Sequence, residues 1–151
     1  MNTEIVPDSE HHGVMARLPQ GLRDLALLAR FDRPIGWWLL FWPCVFGVWL
    51  AGEGVQLALL GWLLLGAIAM RGAGCVYNDI VDADLDAKVA RTAARPIASG
   101  RVSKKAAWGW LIALSLVGLL VLLQLRWEAQ LVSLASLALV AAYPFMKRIT
   151  W

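Results

Sequence analysis

The chain has 151 residues, 60% hydrophobic and 17% charged, with nine tryptophans, a net charge of +3 and a positive mean hydropathy. A soluble domain of this length carries about 45–50% apolar and about 25% charged residues, so the excess must be hidden from water, and intrinsic disorder is excluded. Only Cys44 and Cys75 are present, each in an apolar run, which excludes a disulfide scaffold. The basic residues flank apolar stretches and form no aromatic-interleaved groove, so no nucleic-acid partner is expected.

Residues 1–15 form a polar tail with Glu4, Asp8, Glu10, His11 and His12 and show no signal-peptide pattern. The histidine pair has no second cluster beside it and predicts no metal site. Residues 16–33 include LRDLALLARFDR, a leucine face mixed with charges, which predicts an interfacial amphipathic helix ending at the turn that Pro34 allows. Four apolar spans follow, at about 34–52, 55–77, 106–125 and 129–146, each long enough to cross a hydrocarbon core of about 30 Å. A soluble bundle would need polar faces at 3.6-residue spacing, whereas Leu111 to Leu123 is apolar all round. The expected fold is an all-α polytopic membrane bundle, with the lipid bilayer as its main partner.

The charges set an orientation. Arg17, Arg23, Arg30 and Arg33 precede the first span; Lys88, Arg91, Arg95, Arg101, Lys104 and Lys105 lie between the second and third; Lys147 and Arg148 follow the fourth. Twelve of the fourteen basic residues therefore fall on one side, which predicts a cytoplasmic N-terminus and 78–105 loop. Trp37, Trp38, Trp108 and Trp110 near that side, and Trp49 and Trp127 near the other, suit an interfacial aromatic belt.

The 78–105 loop carries the chemistry. On a helix, Asp79, Asp82 and Asp86 fall within about 60° of one another, Asn78 sits about 100° round, and Asp84 points away at about 140°. Carboxylates crowded on one face need a cation, and hard oxygen donors suit Mg²⁺, which binds one or two carboxylates and completes its shell with water and phosphate oxygens. Arg71 lies two turns before Asn78, about 10 Å deeper on the same face. An arginine inside a span marks a functional site unless it serves only as a packing ion pair to the aspartates. Aspartates beside Lys88, Arg91 and Arg95 at the mouth of an apolar bundle suit a diphosphate attached to an apolar chain; no phosphate-binding glycine loop for a nucleotide is present.

The run Asn78-Asp79-x-x-Asp82-x-x-x-Asp86, followed by Arg91-Thr92-x-x-Arg95-Pro96-Ile97-x-x-Gly100, resembles the first aspartate-rich motif of the UbiA superfamily of intramembrane prenyltransferases. Arg30-x-Asp32-Arg33-Pro34-Ile35-Gly36, Leu39-Leu40-Phe41-Trp42-Pro43, Met70-Arg71-Gly72-Ala73-Gly74-Cys75 and Tyr143-Pro144-Phe145-Met146-Lys147-Arg148 are similar to its 4-hydroxybenzoate polyprenyltransferase branch, so the resemblance covers residues 30–151.

That resemblance implies a bundle of about nine spans, four of them here, around a cavity where Mg²⁺ and a polyprenyl diphosphate meet 4-hydroxybenzoate in ubiquinone biosynthesis. It implies Asp79, Asp82 and Asp86 as metal ligands and catalytic residues, with Arg71 catalytic as well. Asn78, Arg91 and Arg95 would bind substrate, and Lys147 and Arg148 would contact diphosphate or the acceptor carboxylate. The second aspartate-rich motif of the family is not in this sequence, so 34–151 reads as the N-terminal half of such a domain, inactive alone, in a bacterial inner membrane. The competing expectations are a relative acting on a menaquinone, haem or chlorophyll precursor, and a non-enzymatic divalent-cation transport segment.

Overall fold

Helices dominate because the apolar runs leave the backbone no other way to satisfy its N–H and C=O groups out of water. The computed structural model describes residues 17–52, 54 and 56–149, with side chains through Met146. The helices are α1 (Gln20–Leu28), α2 (Ile35–Leu50), α3 (Leu57–Asp86), α4 (Lys104–Leu122) and α5 (Trp127–Ile149), and there is no strand among the described residues. The histidine pair His11 and His12 lies outside the described residues.

Three helices, α3, α4 and α5, are long and apolar enough to cross a membrane. The expected first span is shorter than its sequence run: α2 has 16 residues, about 24 Å of helix, bounded by Pro34 and by Gly52 at φ +74°. Its aromatic side is a ladder in which Trp38 stacks on Trp42 at 5.8 Å and Trp42 on Phe46 at 6.2 Å. Residues four apart on a helix meet in this way.

Helix α3 is continuous from the apolar run through the whole acidic motif, 30 residues in all. It packs along α4 at small residues: Gly66 faces Val121, Gly72 faces Leu114 and Phe31, and Gly118 faces Met70. Without side chains at these points the two helices approach closely, as membrane helices must when lipid tails offer no less apolar a neighbour. The buried core is not at mid-bundle but at the motif end, where Leu28, Val76, Ile80, Ile97, Val102, Ala107 and Leu114 pack together.

The amphipathic segment is held more firmly than an interfacial helix needs to be. Leu27, Leu28 and Ala29 of its apolar face are 3%, 0% and 1% exposed. It ends in a Schellman turn: Phe31 N–H donates to Ala26 C=O at 3.0 Å and Arg30 N–H to Leu27 C=O at 3.0 Å. Arg30 therefore occupies the left-handed position, φ +59°, that glycine usually takes.

Candidate functional site

The acidic face forms as its spacing requires. Asp79, Asp82 and Asp86 are 2%, 5% and 9% exposed, whereas the Asp84 side chain is 88% exposed and pairs with Lys104 at 3.2 Å. Three buried carboxylates demand compensation, because an uncompensated buried charge costs several kcal/mol. It arrives from both sides of the sequence. Arg95 Nη1 donates to Asp79 Oδ1 at 3.2 Å and to Asp86 Oδ2 at 2.8 Å, and Arg30 Nη2 stands 3.5 Å from Asp79 Oδ2. The partners of the aspartates thus include Arg30 and Arg95, not the Arg71 that the helical register places below them.

Arg95 can reach back because residues 87–103 fold onto the bundle as a string of tight turns. Thr92 Oγ1 donates to Asp86 C=O at 3.0 Å, and Val102 N–H donates to Pro96 C=O at 2.9 Å, with Gly100 at φ +76° completing the reversal. Arg101 pins the segment to α1: Nη1 to Asp24 Oδ1 at 2.6 Å, Nη2 to Ala94 C=O at 2.8 Å and Nε to Ser99 Oγ at 3.2 Å, while Ser99 Oγ donates to Arg95 C=O at 2.8 Å. Ser103 then caps α4 by accepting from Ala106 N–H.

Between this end of the bundle and α5 lies an open cavity of about 740 Å³. The α1–α2 connection and the first turn of α2 contribute Arg30, Arg33, Ile35 and Gly36; α3 contributes Arg71, Gly74, Cys75, Tyr77, Asn78 and Asp79; the loop adds Arg91 and Arg95. Leu139, Val140, Tyr143 and Pro144 of α5 supply an apolar wall, tied to α3 where Tyr77 Oη donates to Ala141 C=O at 3.3 Å. Five arginines face the cavity against a single carboxylate, Asp79. Such a surplus of guanidinium groups with an apolar side suits an anion carrying an apolar substituent, because the planar N–H fork matches phosphate and carboxylate oxygens.

Of the predicted site residues, Arg71, Asn78, Asp79, Arg91 and Arg95 meet at this cavity. Asp86 is joined to it through Arg95, and Asp82 is buried without lining it. The side chains of Lys147 and Arg148 lie outside the described residues. Among the described residues no group of three or more His, Cys, Asp or Glu side chains is arranged to hold a metal ion, because Arg95 lies between two of the three aspartates. The donors that do face the cavity, Asn78 and Asp79, fit Mg²⁺ in its usual company of water and phosphate oxygens. Asp79 Oδ2 is buried with no hydrogen bond of good geometry and faces Arg30 Nη2 at 3.5 Å.

Motif chemistry does not single out Arg30, Arg33, Gly36 or Tyr143 as site residues. The dense Arg30-x-Asp32-Arg33 charges ahead of Pro34 are the available signal for the first two; no local pattern links Tyr143 to a motif more than fifty residues earlier.

Apolar helices of spanning length, with a cation-rich cavity at the end of an aspartate-bearing helix, define an integral membrane protein. Residues 40–151 match the UbiA prenyltransferase family, and the chain belongs to that family. It is similar to the mitochondrial 4-hydroxybenzoate polyprenyltransferase of Drosophila pseudoobscura pseudoobscura, 47% identical over 150 residues, which covers 97% of this chain and 38% of the relative. The mitochondrial 4-hydroxybenzoate polyprenyltransferase of Aedes aegypti is 50% identical over 128 residues, 83% of this chain and 29% of that protein. The 4-hydroxybenzoate octaprenyltransferase of Chromohalobacter salexigens is 42% identical over 144 residues, 95% of this chain and 47% of the relative. The chain thus spans less than half the length of these relatives. No solved structure matches it.

Proposed function

We propose that the chain contributes the diphosphate-binding part of a Mg²⁺-dependent aromatic prenyltransferase, which moves a polyprenyl chain from its diphosphate to 4-hydroxybenzoate in ubiquinone biosynthesis. The observation that carries this reading is the cavity with five arginines, one carboxylate and an apolar wall. The relatives' names supply the acceptor.

In this reading Arg33, Arg71 and Arg91 hold the diphosphate, and Asn78 and Asp79 hold Mg²⁺. The metal supplies charge neutralisation that makes diphosphate a better leaving group. Arg95 and Arg30 hold the Asp79 carboxylate in place. The allylic C–O bond breaks, its electron pair leaves with diphosphate, and the ring carbon ortho to the acceptor hydroxyl attacks the allylic cation before losing its proton. Leu139, Val140 and Tyr143 give that cation an apolar wall on one side. Asp82 and Asp86 act behind the cavity, through Arg95 and the helix end.

The test is calorimetric titration of the chain in nanodiscs with inorganic diphosphate, with and without Mg²⁺, against sulfate. Diphosphate binds more tightly than sulfate, Mg²⁺ strengthens it, and Arg91→Ala weakens it at least about tenfold, a loss of 1.4 kcal/mol. Equal affinity for both anions would overturn the reading. We place the chain in a bacterial inner membrane with residues 78–105 cytoplasmic, and impermeant thiol labelling tests that orientation. Cysteines at the exposed Ala87 and Ala90, in a chain lacking Cys44 and Cys75, label only from the cytoplasmic side.

A further inference from the structure

Glycines at helix contacts in this protein fall into two groups. Gly66, Gly72 and Gly118 face apolar packing residues of the neighbouring helix or turn. Gly36, in the first turn of α2, faces something else: a Cβ built there would lie 2.6 Å from Arg71 Nε and 3.4 Å from both Cζ and Nη2. All three neighbours belong to one cationic side chain. The neck of the Arg71 guanidinium rests in the notch left by the missing side chain, and both residues line the cavity.

Little else among the described residues fixes Arg71. Arg30 and Arg95 are ion-paired to Asp79. Arg71 forms no ion pair among the described residues, so shape and not charge sets where its guanidinium lies. A long flexible side chain in an open cavity otherwise samples many rotamers, and a donor fork that must be frozen on binding holds its anion less well.

We propose that Gly36 is the positioning residue for Arg71, the notch that holds the guanidinium where it meets an anionic group of the ligand. The proposal rests on the reading of the cavity as a prenyl diphosphate and aromatic carboxylate site. It separates cleanly from folding. The added methyl of Gly36→Ala meets only a movable side chain, and alanine is the better helix former, so the substitution leaves the fold intact while displacing the guanidinium.

The test has two arms, both on the full chain in nanodiscs. The first follows the Nε–Hε resonance of Arg71, assigned by its loss in Arg71→Lys, in protein labelled with ¹⁵N-arginine. Gly36→Ala shifts that resonance and leaves those of Arg30 and Arg95 in place; an unmoved Arg71 signal overturns the proposal. The second arm measures the affinities of inorganic diphosphate and of 4-hydroxybenzoate for wild type, Gly36→Ala, Arg71→Ala and the double variant. For the anion that Arg71 holds, Gly36→Ala weakens binding about tenfold, Arg71→Ala weakens it further, and the double variant matches Arg71→Ala alone, because residues acting through one contact are non-additive. Additive losses, or an Arg71→Ala variant that binds both anions as wild type does, overturn the proposal. If wild type binds neither anion, the functional reading fails, and the resonance shift alone decides whether Gly36 positions Arg71.

Discussion

The motif end of the bundle and its α5 side are made from similar residues and built on opposite terms. Around the acidic motif, Leu28, Val76 and Ala107 are 0% exposed and ion pairs join α1, α3 and the loop. Along α5, Val132 and Leu139 are 71% and 75% exposed, and only 6% of the apolar window is buried. Burial against protein holds the first region in one arrangement. Along most of the second, apolarity rather than packing on protein keeps the chain out of water, a requirement lipid meets. A site that must place charges to within a fraction of an ångström is therefore built at the end where protein packs on protein.

Substitutions can break that contrast, and the largest effect is expected at its centre. Arg95→Ala leaves Asp79 and Asp86 without their shared cation and should cost about 3–4 kcal/mol, the scale of a broken buried ion pair, read as a lower unfolding midpoint and faster proteolysis within residues 87–103. The same leucine truncation in both regions sharpens the comparison. Leu28→Ala should destabilise by about 3 kcal/mol and Leu139→Ala by less than about 0.5 kcal/mol in the same denaturation assay; equal losses would show that the α5 side is packed as tightly as the core. Arg101→Met keeps much of the side chain's bulk and removes its three hydrogen bonds, with an expected cost of about 2 kcal/mol and earlier hydrogen exchange in the loop. Asp84→Asn breaks only an exposed pair with Lys104 and should leave the unfolding midpoint where it is.

Much of this arrangement can be read from the sequence because it repeats with the helix. The 3.6-residue period alone separates Asp79, Asp82 and Asp86 from Asp84, and the structure buries the first three and exposes the fourth. The apolar runs likewise mark α3, α4 and α5. What period cannot carry is geometry made by turns. Arg95 reaches Asp79, 16 residues back, only because the chain reverses between them, and Arg30 reaches the same carboxylate from a left-handed residue that no arginine preference would suggest. The shortening of the first span to α2 depends on Pro34 and Gly52, whose breaking effect is local and easily outvoted by a long apolar run. The α5 wall escapes sequence reasoning for a third reason: Tyr143 acquires its role from tertiary docking, and nothing near it in the chain records that neighbour.

The clasp between Asp24 and Arg101 also bears on the order in which the chain assembles. Its partners are 77 residues apart, whereas α3 and α4 are consecutive helices joined by a single loop. Contacts between neighbours close cheaply and early; distant ones wait, because loop entropy is lost before the contact returns anything. The α3–α4 hairpin can thus pair while α1 is still unplaced, and the clasp closes over it last. Assembly intermediates would then hold Asp79 and Asp86 on a formed helix but leave the loop unanchored, so the cavity becomes a defined container only when the first helix of the chain returns to meet one of its later arginines.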